Sequence, residues 1–199
     1  VMAFWTAPLA DADHALHAVR AACAMQQAMP ELNRALVADG LPALSMRVGV
    51  HTGQVLVGNM GSRIGRLSYT ALGDAVNLAS RLEGANKAYG TDILLSGVTA
   101  FALAGAIPLR VVDLVRVKGK HVAIEVFTPC DDAALVQRSD QAVHAFRQAH
   151  WDAAQQQWQD ILRSHAHDPL APLYLERIAA LRRNPPPTDW DGSMALDAK

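Results

Sequence analysis

Asn77 and Arg81 stand four residues apart in the run Tyr69-Thr70-Ala71-Leu72-Gly73-Asp74-Ala75-Val76-Asn77-Leu78-Ala79-Ser80-Arg81-Leu82-Glu83. On a helix, at about 100° per residue, they lie only about 40° apart, while Ala75, Leu78, Ala79 and Leu82 gather on a different, apolar face. A guanidinium offers phosphate oxygens a planar fork, and a carboxamide beside it adds a neutral donor, so the pair suits a negatively charged oxygen. Spacing alone favours the plainer alternative, a solvated polar face, because most exposed i,i+4 polar pairs contribute nothing measurable.

Other spacings carry less. Gly53-x4-Gly58 has the outline of a phosphate loop, but Asn59-Met60 stands where Lys-Ser/Thr is required, so these glycines are read as hairpin and loop geometry. Asp11, Asp13, His14 and His17 could ligate a metal, yet a helix start with Asp11 or Asp13 as its N-cap explains them with less. His51 reads as a residue packing at a strand end. Cys23 and Cys130 match no metal or redox spacing, which points to a reducing, cytosolic-type compartment.

The elements that would position these residues follow from periodicity. Val1–Trp5 reads as a buried strand already under way. Ala15, Val19, Ala22, Met25 and Met29 mark a helix, spaced 4, 3, 3 and 4 apart. Leu44–Val50 and Gln54–Gly58 read as two strands of a hairpin turning at His51-Thr52-Gly53, with a loop from Gly58 to Gly65. A helix over Gly73–Ala88 closes at Tyr89-Gly90. A strand over Asp92–Ser96, a short helix over Gly97–Ala104 and strands over Leu109–Val117 and Val122–Phe127 follow. The last two turn through Lys118-Gly119-Lys120-His121. This order suits an α+β plan, a sheet with helices packed on one face. From 130–133 onward only helical periodicity remains, marked by Ala142, Phe146, Trp151, Ala154, Trp158, Ile161 and Leu162, and Pro185–Pro187 ends it. The division expected is residues 1–130 and 131–199.

The run around Asn77, with Met46-Arg47-Val48-Gly49-Val50-His51-Thr52-Gly53 before it and Val117-Lys118-Gly119-Lys120 after it, resembles class III adenylate/guanylate cyclase catalytic domains. Val1–Trp5 is similar to the strand that follows that family's second metal aspartate, and the ordered match covers residues 1–129. The resemblance implies a ferredoxin-like nucleotide-cyclase sheet, incomplete at its N-terminus, followed by a small all-α helical hairpin. It implies that Asn77 orients the ribose or stabilises the transition state and that Arg81 neutralises the α-phosphate. Thr70 would read the purine together with a lysine upstream. Its hydroxyl can accept from an adenine amino group but can also rotate to donate, so adenine is favoured over guanine. Lys118 is preferred over Lys120 as the holder of the terminal phosphates. A solvated hairpin turn is the alternative for both.

The implied reaction is attack of a ribose 3′-oxygen on the α-phosphorus of ATP with release of pyrophosphate, clamped by two Mg2+ or Mn2+ ions. The family's two metal aspartates fall upstream of residue 1, and Asp74, Asp92 and Asp113 do not match them. The chain alone is therefore expected to be inactive. A head-to-tail homodimer is implied, in which one subunit holds the metals and the other presents the Asn/Arg pair. The tail resembles a single tetratricopeptide-like hairpin, and its Trp190-Asp191-Gly192 ending is similar to bacterial cyclases with a membrane-bound, CHASE-type sensor upstream. That resemblance would leave the catalytic part in the cytoplasm. The rival readings are a guanylate cyclase, a degenerate cyclase-like module that binds nucleotide or a partner, and a scaffold whose main function lies in the tail.

Composition bounds the rest. Hydrophobic residues make up 51% and charged residues 19%, enough apolar material for a core. A net charge of -1 gives no overall field for nucleic acid or an anionic membrane, so an anionic ligand needs a local cluster of donors. No apolar run reaches the roughly 18–20 residues that span a bilayer.

Overall fold

Strand β4 (Ile93–Ser96) is buried along its whole length, as expected of a strand covered on both faces. Its side chains alternate between two cores. Ile93 and Leu95 meet Ala15, Val19 and Ala22 of helix α1 (His14–Ala38), together with Leu103. Leu94 points the other way, into a core with Leu78, Leu82, Ala85 and Tyr89 of helix α2 (Asp74–Tyr89). This period of two places helices on both faces of the sheet, a wider distribution than the single face expected from the element order. The computed structural model describes residues 1–61, 67–117 and 122–196.

The main sheet runs β1-β4-β6-β5-β7. Strand β1 (Val48–Val50) is parallel to β4, and β6 (Ile124–Pro129) is antiparallel both to β4 and to β5 (Leu109–Val117). The short helix α3 (Gly97–Ala102) follows β4 and is capped by Ser96, whose hydroxyl accepts from the Thr99 amide. A separate two-stranded arm joins β2 (Leu56–Gly61) to β3 (Leu67–Leu72), with Thr70 opposite Gly58.

Strand 44–50 does not form a hairpin with 54–58: β1 pairs with β4, and β2 pairs with β3, which runs through Tyr69-Thr70. Period-two alternation marks both segments as strands but carries no information about their partners. The ladder at β1 starts only at Val48; before it the Leu44 amide and carbonyl are taken by the Asn33 carboxamide at 2.8 and 2.9 Å, and the Met46 carbonyl accepts from the Gln26 carboxamide at 2.7 Å. Residues 1–5 form no strand, since no neighbouring strand among the described residues takes their backbone groups; Phe4 instead packs its ring 5.9 Å from that of Tyr69. The core face of α1 ends at Ala22, and Met25 is exposed. The expected loop 58–65 is strand up to Gly61.

Beyond Cys130 the helical periodicity resolves into α4 (Ala133–Arg147), α5 (Trp151–Ser164) and α6 (Leu170–Arg183). Asp132 starts α4 by accepting from the Leu135 amide at 2.9 Å. These helices share the α2 core: Ala142, Phe146, Trp158, Tyr174 and Ile178 are contiguous with Leu82, Val112 and Val115. Trp158 stacks on Tyr174 with centroids 4.3 Å apart, and Phe146 meets Tyr174, Trp151 and Trp190 edge-on. The chain then returns to the sheet as β7 (Met194–Leu196), parallel to β5, a strand that the sequence reading did not anticipate.

Candidate active site on the signature helix

Helix α2 begins where β3 breaks off. Gly73, at φ 148° and ψ 168°, sits in a region essentially restricted to glycine and turns the chain from strand to helix. Leu78, Leu82, Ala85, Asn86 and Tyr89 are buried, which fixes the helix in rotation. Asn77 and Arg81 are both exposed, at the edge of that buried stripe. Thr70 is half-buried on the arm and is joined to α2 through Gly73. Lys118 and Lys120 lie outside the described residues.

What holds α2 is specific. At Gly49 the backbone of β1 runs directly under the helix: a Cβ there would stand 2.1 Å from the Ala79 carbonyl oxygen and 2.3 Å from the Glu83 amide nitrogen. The buried Asn86 carboxamide donates to the Val48 carbonyl at 3.0 Å and to the Leu82 carbonyl at 3.1 Å, and accepts from the Thr91 hydroxyl at 2.8 Å. Gly90, left-handed at φ 64°, closes the helix by donating its amide to the Asn86 carbonyl. Beside it lies Pro169 at the start of α6, 2.7 Å from where a Gly90 Cβ would be.

At the same end, the Tyr89 hydroxyl donates to Asp113 of β5 at 2.6 Å. Arg177 of α6 donates to the same carboxylate oxygen at 2.8 Å. The other oxygen accepts from the Leu114 amide at 2.8 Å and lies 3.2 Å from the Tyr174 hydroxyl. The Arg177 guanidinium lies over the Tyr89 and Tyr174 rings, 5.5 and 5.3 Å from their centroids. Burial, and then the Asp113 charge, push both tyrosine hydroxyls well above their ordinary pKa, so both remain donors. Burial works against the Arg177 cation, but Asp113 and the two tyrosines outweigh it, and its pKa ends above the ordinary value. Sequence reasoning missed Asn86, Tyr89, Asp113 and Arg177; the sole local signal was Tyr89 falling on the apolar stripe of α2.

A second buried pair anchors the extension. Arg110 of β5 donates to Asp168 and, at 2.7 Å, to the Ser139 hydroxyl. Asp168 also accepts from the Leu170 and Ala171 amides at 3.1 and 2.8 Å, satisfying the first turn of α6.

Among the described residues no group of three or more His, Cys, Asp or Glu is placed to hold a metal. These residues do not by themselves supply the two-ion centre that the resemblance implies. Asp11 instead accepts from the Asp13 amide at 3.0 Å and pairs with His17 at 2.8 Å, while Asp13 takes the N-cap position without a side-chain cap bond. His51 Nδ1 lies 2.7 Å from the Ser96 hydroxyl. No helix among the described residues is long and apolar enough to cross a membrane.

The chain and its fold are similar to those of known proteins. Adenylate cyclase 1 of Rhizobium meliloti (strain 1021) is 43% identical over 127 residues, which make up 64% of this chain and 19% of that protein. The chain thus spans about a fifth of that relative's length. The crystal structure of the adenylyl cyclase CyaB from P. aeruginosa superposes with a TM-score of 0.56 at 32% identity, over 63% of this chain and 64% of that one. That of the guanylyl cyclase Cya2 superposes with a TM-score of 0.53 at 32% identity, over 65% and 66%. The model of the adenylate and guanylate cyclase catalytic domain matches residues 2–128, and the chain belongs to that family.

Proposed function

We propose that this chain carries the nucleotide-contacting half of an adenylate cyclase site, converting ATP to 3′,5′-cyclic AMP and pyrophosphate. One observation carries the reading: Asn77 and Arg81 stand exposed together on a helix whose other face is buried and whose backbone lies against Gly49. Donors on so fixed a platform can meet a developing charge without reorganising. The ribose 3′-hydroxyl gives up its proton to solvent and its oxygen bonds to the α-phosphorus as the bond to the bridging oxygen breaks, and pyrophosphate leaves with that oxygen. Arg81 neutralises the non-bridging α-phosphate oxygens, and Asn77 orients the ribose or donates to the transition state. Thr70 accepts from the adenine amino group, and Lys118 or Lys120 holds the terminal phosphates.

The site is completed by a second cyclase domain in a head-to-tail pair, which supplies the ligands for two Mg2+ or Mn2+ ions. Residues 1–130 are the catalytic portion and 131–199 an extension. The catalytic part works in the cytoplasm, with any membrane link through an upstream sensor. The 43% identity to a protein named adenylate cyclase supports adenine, and Thr70 agrees with it. The equal 32% identity to an adenylyl and a guanylyl cyclase structure makes GTP the second substrate to assay.

The test is cyclic nucleotide production from ATP and from GTP, with manganese, by the full-length protein carrying this chain. Cyclic AMP formation that falls about 10²–10³-fold in Asn77→Ala and in Arg81→Ala is the expected result. A well-folded protein with no turnover, alone or mixed with a partner cyclase domain, would replace this reading with that of a degenerate binding module.

A further inference from the structure

We propose that Tyr89, Asp113 and Arg177 are positioning residues for the cyclase reaction: through them helix α6 of the extension fixes the C-terminal end of α2, and with it the placement of Asn77 and Arg81. The inference rests on the adenylate cyclase reading and goes beyond it, because it makes a residue outside the family match, Arg177, help to position the catalytic pair.

Two separate contacts grip the end of α2 from the side of α6. Pro169 abuts Gly90 so closely that no Cβ fits between them. Asp113 is clasped by the Tyr89 hydroxyl from α2 and the Arg177 guanidinium from α6, both on one carboxylate oxygen. Asp113 sits where β5 slips register against β6, between the pairs Val111–Phe127 and Asp113–Val126. That irregularity sends its side chain into the helical core, where it is almost fully buried.

The lever is long. Tyr89 lies twelve residues beyond Asn77, about 18 Å along a helix rising about 1.5 Å per residue. A tilt of about 3° about one end therefore moves the other by about 1 Å, and a misplacement of about 1 Å can cost about 10²-fold in rate. A network that served only to stabilise the fold would leave the rate per folded molecule untouched, which separates the two roles.

The experiment places Tyr89→Phe and Arg177→Lys, separately, in the full-length protein, with Ile161→Val on α5 as a core substitution outside the network. kcat and KM for ATP are measured per folded molecule, and amide exchange is followed along 74–89. The expected result is a fall in kcat of about tenfold for each network variant, with KM within about twofold, and exchange at least about threefold faster in the last two turns of α2. Ile161→Val should do neither. A kcat no lower than that of Ile161→Val, or unchanged α2 exchange, overturns the proposal. If the unsubstituted protein makes no cyclic nucleotide from either triphosphate, it is the cyclase reading that fails. Exchange then decides alone: faster exchange in α2 supports the grip of α6, and unchanged exchange removes it.

Discussion

A methyl group at Gly49 would occupy space held by the Ala79 carbonyl and the Glu83 amide, both backbone atoms that can yield only if the whole of α2 moves. Gly49→Ala is therefore expected to destabilise the fold by about 3 kcal/mol or more, seen as a lower midpoint of denaturant unfolding. The exposed Asn77→Ala and Arg81→Ala should stay within about 0.5 kcal/mol of the parent while losing turnover, a dissociation that marks chemistry rather than packing. Their exposure together on α2 was legible because i,i+4 spacing on a helix sets it. Tyr89, Asp113 and Arg177 were not. The first two are 24 residues apart and the last two 64, and a lone Asp in an apolar strand does not announce its partners.

At the scale of elements, periodicity marked most helices and the strands β1, β2, β4, β5 and β6, but it placed a strand at 1–5, passed over β3 and β7, and did not say which strands meet. The parallel β1–β4 pair, the β2–β3 arm and the late return of β7 depend on contacts between distant segments, which no local pattern encodes. The buried Arg110–Asp168 pair joins β5 to the start of α6, and Asp168 also caps that helix. Asp168→Ala leaves Arg110 buried without its carboxylate and should cost about 3–5 kcal/mol, read as a drop in the thermal midpoint. Strand β7 has an acid-sensitive anchor. Hydrogen bonds from the Ser193 hydroxyl and amide, and then the Arg116 guanidinium, hold the Asp191 carboxyl below the ordinary carboxylate range. A group whose folded pKa is depressed contributes its full stability above its unfolded pKa and loses it as pH falls through the folded one. Amide exchange at Met194 and Ala195 should therefore quicken below the ordinary carboxylate range, ahead of exchange at β4. Equal timing would remove Asp191 from that role.

At the scale of the molecule, the family match ends at residue 128, but the core does not. Leu82, Tyr89, Val112 and Val115 are covered by Phe146, Trp158, Tyr174 and Ile178, so the family-matched residues and the helices after them bury one apolar interior. A chain ending at residue 130 would expose that surface. It is expected to elute as aggregate and to bind a hydrophobic dye, whereas the 199-residue chain should do neither. A monodisperse, cooperatively melting 1–130 product would show that the sheet and α2 need no cover.

Three of the four tryptophans, Trp151, Trp158 and Trp190, belong to the extension, and the fourth is Trp5. Trp158 is fully buried and stacked at 10° on Tyr174, the residue whose hydroxyl reaches β5. The ultraviolet emission of this protein is thus weighted toward the interface between α6 and the sheet. Any effector that lifts the extension away would shift that emission to longer wavelength, without an attached dye and before the sheet itself unfolds.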